Sequence, residues 1–228
     1  MHPGRLLALF TAVLLSPALA AAQPGGRGPY GEPPGPPDQG FVLSGRIGYG
    51  FPGGDLAGPS EFQGSTRVSD TADGKVPFWL ELGYRFTAHV WGTAYLELAP
   101  ASVASTFCGG GDCTGSDVRA GLELQYHFLP YQQVDPWLGL GVGAEFLNDH
   151  DNVSGTSERF SGWEFPMLEG GLDFAVTRRF ALGPYASLSY GQYTSHRVEQ
   201  AGVATTTDIA DQAWHSWFQV GVKATIKL

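Results

Sequence analysis

Ten charged residues recur on the same side of alternating segments: Arg46, Glu81, Arg85, Glu97, Arg119, Glu123, Glu145, Glu169, Asp173 and Lys223. On an inward face, mixed signs can do two things. They can lock into a static salt-bridge network, because a lone buried charge costs on the order of several kcal/mol. Alternatively, they can exchange partners and act as a gate over a narrow conductance. Other chemistry is sparse. Ser195-His196 and His215-Ser216 are the only Ser/His neighbours. Adjacent residues on a strand point to opposite faces, so His215 is badly placed to activate Ser216, and both pairs read as surface or rim residues. No catalytic residue is therefore expected. Cys108 and Cys113 bracket Cys-Gly-Gly-Gly-Asp-Cys, which an oxidising compartment would close as a disulfide. Two thiols without nearby histidines make a poor metal site, and Asn148-Asp149-His150-Asp151-Asn152 lacks the spacing of a calcium loop. No metal is expected, and the absence of any phosphate loop or dinucleotide fingerprint points to no cofactor.

The elements that carry these charges alternate with period two. Phe41, Leu43, Ile47, Tyr49 and Phe51 share one face against Ser44, Arg46, Gly48 and Gly50. Val76, Phe78, Leu80, Leu82, Tyr84 and Phe86 oppose Trp79, Glu81, Gly83 and Arg85. The cleanest segment sets Val118, Ala120, Leu122, Leu124, Tyr126 and Phe128 against Arg119, Gly121, Glu123, Gln125 and His127. Weaker copies run over 90–99, 137–147, 163–175 and 180–191, and the last runs from Trp214 to Leu228. Spacing of two, not three or four, makes these strands. Connections alternate in length: short at 87–89, 129–136 and 176–179, long at 52–75, 100–116, 148–162 and 192–212. Tracing the chain up and down puts Arg46, Glu81, Glu123 and Glu169 near mid-height, with Asp173, Lys223 and Arg85 lower.

Composition narrows the setting. Charged residues make up only 15% of 228, a low fraction for a solvated globular surface, while 33 glycines suit close-packed strands and turns. The net charge of −9 argues against nucleic acid as a partner. Residues 1–22 read as a signal peptide: Arg5, an apolar run from Leu6 to Leu15, and Ala18-Leu19-Ala20 as the cleavage site. A run of ten is too short to cross roughly 30 Å of hydrocarbon as a helix. Residues 23–39, rich in Pro and Gly, read as a periplasmic linker.

A soluble lipocalin-like barrel would alternate too, with its apolar face inward. Three features favour the opposite sense. The polar face is glycine-rich, aromatics gather near the ends of the apolar faces, and the chain stops on the last strand at Leu228. The expected fold class is all-β: an eight-stranded antiparallel up-and-down transmembrane β-barrel over 40–228, with ten strands as the competing count. With these residues on the page, the chain resembles the small eight-stranded outer-membrane barrels, the OmpA transmembrane domain, OmpX and OmpW group. Its final strand, with Gln219, Gly221, Ala224, Ile226 and Leu228, resembles the family's C-terminal assembly signal, although Leu228 stands where that signal usually has Phe. The resemblance implies a monomeric protein of the Gram-negative outer membrane. It implies membrane lipid and lipopolysaccharide as surroundings, and the barrel assembly machinery as a partner in biogenesis. The function it implies is structural or porin-like, with at most a small gated conductance; the alternative is a binding or adhesion module on a barrel anchor.

Overall fold

The computed structural model describes residues 38–59, 67–103 and 113–228. The signal segment, nearly all of the linker and Cys108 lie outside the described residues. Ten strands follow one another: β1 Gly40–Gly54, β2 Ala72–Lys75, β3 Phe78–Arg85, β4 Val90–Val103, β5 Cys113–His127, β6 Val134–Asp151, β7 Thr156–Ala175, β8 Phe180–Gln200, β9 Val203–Asp208 and β10 His215–Lys227. Every pairing is antiparallel. The ring runs β1, β3, β4, β5, β6, β7, β8, β10 and closes where β10 meets β1, with Arg46 opposite Lys223 and Gly48 opposite Gly221. That makes eight staves. The two further strands add none: β2 continues the line of β3 between β1 and β4, and β9 folds back on β8 alone.

The alternation becomes an inside and an outside. Leu122 is 63% exposed on the outer wall while Glu97 is fully buried in the lumen. Water would penalise such an exterior, and hydrocarbon would not. The outer ring carries Phe41, Leu80, Leu138, Leu168, Val222 and Ile226, with Phe146, Trp163, Tyr190 and Trp214 towards the long-loop end. The chain is thus a transmembrane barrel, with the tight turns and both strand termini at one end.

Two expectations about the connections need correction. The segments at 148–162 and 192–212 are largely strand, not loop. β6, β7 and β8 are 18, 20 and 21 residues long, and β9 extends the same sheet. A membrane crossing needs roughly 9–11 tilted residues, so about half of each of these strands stands beyond the bilayer. There the backbone still has partners to hydrogen-bond, and the strands therefore continue until glycines turn them: Gly155 (φ 66°) between β6 and β7, and Gly202 (φ 80°) between β8 and β9.

The strict alternation also breaks, in β7 and again where Thr194 of β8 is passed over between Ser161 and Gly162. In β7 two residues, Phe165 and Pro166, bulge between Glu164 and Met167, opposite the single residue Val142 on β6. Both flanks of the bulge face inward, so Glu164 and Glu169 reach the lumen although five positions apart.

Candidate functional site: a tiered lumen

At mid-height the guanidinium of Arg46 holds three carboxylates. Its Nη1 donates to Glu169 at 2.5 Å, its Nη2 to Glu123 at 2.9 Å, and its Nε meets Glu81. The rings of Trp79, Trp137 and Tyr185 lie 4.9, 5.4 and 5.2 Å from its central carbon, a cation–π cage that fills the remaining cross-section. Lys223 pairs in register with Arg46 across the closing seam. Its Nζ lies 3.7 Å from Glu81, over the Trp137 ring at 4.1 Å, and donates to Gln125 at 2.9 Å.

The next tier turns on Glu97, which accepts from Lys75 at 2.6 Å, Arg119 at 3.0 Å and Gln219 at 3.2 Å. Lys75 also pairs with Asp117, and Arg119 with Glu164 and the Ser189 hydroxyl. Tyr95 donates to Glu164 at 3.4 Å, and fits only because Gly121 and Gly143 beside it have no Cβ to strike its hydroxyl. Above this, Glu145 collects three donors: Tyr193 Oη at 2.9 Å, Trp217 Nε1 at 2.8 Å and His215 Nε2 at 2.8 Å. An apolar cap closes the top, made by Leu56, Ala57, Val68, Ala72, Leu147, Phe160 and Ile209 packed on Tyr193 and Trp217.

Arg85 and Asp173 enter none of these clusters. They line a vestibule of about 790 Å³ at the tight-turn end, with Lys227, Trp91 and Asp135. Asp135 also accepts from His127 Nδ1 at 2.8 Å, and the His127 ring stacks on Trp91 at 3.6 Å. The structure therefore brings together eight of the ten charges singled out in the sequence and leaves two at the mouth. Three partners escaped the sequence reading: Lys75, Asp117 and Glu164. Parity carried a signal for two of them, since Lys75 shares its parity with Trp79 and Asp117 with Arg119. For Glu164 the bulge reversed that signal. His215 is a further correction: it is buried against Glu145, not a rim residue. His196 bonds Glu158 at 3.1 Å.

In the final strand Gln219 faces the lumen, where its amide reaches Glu97 and accepts from Trp79 Nε1 at 3.3 Å, while Ile226 and Leu228 face out. Cys113 opens β5, and its proposed partner Cys108 lies outside the described residues. Among the described residues no His, Cys, Asp or Glu cluster is arranged to hold a metal ion. Asp151 instead caps its turn, held below the usual carboxylate range by hydrogen bonds from the Ser154 hydroxyl and the Val153 and Ser154 amides.

Asp149, in the part of β6 beyond the membrane belt, is buried with no hydrogen-bond partner for either oxygen. Burial, with Glu158 and Asp117 nearby, pushes its carboxyl up to about 7. The folded state therefore holds this proton more tightly than the unfolded chain. The contribution of this group to stability is greatest below about pH 4, falls as the pH rises towards about 7, and levels off above. Asp149→Asn is expected to match the wild type near about pH 4 and to exceed it by up to about 4 kcal/mol near about pH 8. Urea unfolding at the two pH values reads this; equal stabilities at the higher pH would contradict it.

No protein-family model and no curated protein matches the chain. Solved structures do. The chain is similar to the outer membrane protein OprG from Pseudomonas aeruginosa, at 13% identity and TM-score 0.53, over 85% of this chain and 98% of that one. It is also similar to the outer membrane protein AlkL, at 20% identity and TM-score 0.52, over 90% and 98%. A third is a major outer membrane protein from Thermus thermophilus, at 12% identity and TM-score 0.51, over 82% and 99%. At these identities the likeness concerns the fold. The fold is that of outer-membrane β-barrels, and this chain closes it with eight staves.

Proposed function

We propose that the protein is a structural barrel of the Gram-negative outer membrane, non-enzymatic and monomeric, whose lumen is shut at rest and conducts at most through a small gated path. In this reading the signal peptide leaves after Ala20 or Ala22, the barrel assembly machinery reads the strand ending at Leu228, and Cys108 and Cys113 form a disulfide. The observation that carries it is the stack of side chains across the lumen: Arg46 with three carboxylates, Glu97 with two cations, Glu145 with three donors, and an apolar cap. Seven lumen carboxylates (Glu81, Glu97, Asp117, Glu123, Glu145, Glu164, Glu169) face four cations (Arg46, Lys75, Arg119, Lys223), so any path that opens favours cations.

Planar-bilayer recording of the refolded protein, its fold checked by heat-dependent gel mobility, tests the reading. Wild type is expected to be silent, and Arg46→Ala to give at most brief, small, cation-selective openings. Steady wild-type openings would sink the plugged-lumen reading. The long extension of β6 to β9 favours a second task for the same anchor, presentation of a surface beyond the membrane.

A further inference from the structure

Just past the apolar belt, two arginines stand directly across from each other. Arg159 on β7 pairs in register with Arg197 on β8, and the inward turn of Phe160 puts both on the outer face. Like charges opposed across neighbouring strands destabilise a sheet. Arg159 Nε donates to Asn148 Oδ1 at 2.5 Å, and among the described residues no carboxylate lies within 4 Å of its guanidinium. Arg197 meets Glu199 at 3.4 Å, but both side chains are half-exposed and such a pair contributes little. The pair lines a depression of about 650 Å³ with Ser116, Asn148, His150 and Ser157; Glu199, the partner of Arg197, shares this outer face, while Asp149 and Glu158 at its edge turn inward with Phe160. One step nearer the membrane, Ser161 faces Phe146, and below them the wall is Trp163, Phe165 and Val142.

We propose that this depression binds the phosphorylated headgroup of an outer-leaflet lipid, with the acyl chains lying on the apolar wall beneath. The proposal rests on the outer-membrane reading above. Two guanidinium forks fit a phosphate's oxygens bidentately, which a single point charge does not. The chain as a whole is acidic, at −9, so an outward cation pair is a local feature and not part of a generally basic surface. The exposed apolar wall continues directly from the depression, which suits an amphiphile and offers nothing to a soluble anion. Long connections mark the outer end of such barrels, and the depression lies at that end.

The test titrates the folded full chain in neutral detergent with bisphosphorylated lipid A, the same lipid stripped of its phosphates, and inorganic pyrophosphate. Wild type and Arg159→Ala/Arg197→Ala are compared, with folding of both checked by heat-dependent gel mobility. Wild type is expected to bind the phosphorylated lipid at least about tenfold more tightly than the stripped lipid, and the double variant to lose that preference. Arg159→Lys/Arg197→Lys should recover part of it, since charge returns without the fork. Pyrophosphate should bind wild type at least about a hundredfold more weakly than the lipid. Equal binding of both lipids, an unchanged double variant, or pyrophosphate as tight as the lipid would each overturn the proposal. Failure of the underlying barrel reading would look different: no heat-modifiable form and no insertion into vesicles.

Discussion

Replacing Arg46 with methionine is expected to destabilise the folded barrel by about 3–5 kcal/mol, the loss that follows when one partner of a buried ion pair is removed. Methionine keeps most of the volume, so the effect isolates charge. Glu81, Glu123 and Glu169 would then share a low-dielectric space in which their only near cation is Lys223, 3.7 Å from Glu81. Adding Glu123→Gln and Glu169→Gln to Arg46→Met should restore most of the stability, because Glu81 keeps Lys223 as its partner and no buried charge remains unbalanced. Arg46→Lys should fall between, keeping the charge but not the three-way fork that reaches β3, β5 and β7 at once. Urea unfolding in lipid vesicles measures all of these. A loss below about 1 kcal/mol for Arg46→Met would mean that water enters the cluster and that the network does not fasten the wall.

Trp217→Ala carries the second large effect, again about 3–5 kcal/mol, here from a cavity left by a fully buried indole. The ring has three tasks. It packs under Ile209 and Leu56 in the cap, supports Lys75 Nζ at 4.3 Å from its centroid, and donates to Glu145 at 2.8 Å. Trp217→Phe keeps the packing and removes the donor, so it should cost only about 1–3 kcal/mol. Combined with Arg46→Ala, Trp217→Ala removes both the cap's floor and the mid-height cluster. The double variant is then expected to show sustained cation-selective conductance where Trp217→Ala alone stays silent. A silent double variant, shown folded, would place the decisive obstruction at the Glu97 tier between them.

The balance of what was legible follows the range of each interaction. Facing is local: a residue's side of a strand depends on its parity, so Arg46, Glu81, Arg119 and Glu123 were legible as lumen residues from a dozen neighbours each. Glu164 was not, because the bulge at Phe165 and Pro166 adds one residue to β7 and so reverses its parity. Lys75 had the right parity but lay at the end of a segment assigned to a loop, and Asp117 had it but fell just before the segment that begins at Val118. The tall β6–β9 extension was also hidden. Its outward residues, such as Asn148, Ser157 and Arg159, are polar on both faces once clear of the lipid, and the apolar half of the alternation disappears.

By itself the sequence determined the strand class, the inward and outward faces, the three tight turns and the grouping of Arg46 with Glu81, Glu123 and Glu169. Only the tertiary structure decided that Lys223 reaches Gln125 and Glu81, that Glu97 gathers Lys75 and Arg119, that His215 joins Glu145, and that an apolar cap closes the top. Those outcomes depend on register accumulated around a closed ring, bulges included. They bring together residues such as Lys75 and Trp217 that no local pattern connects.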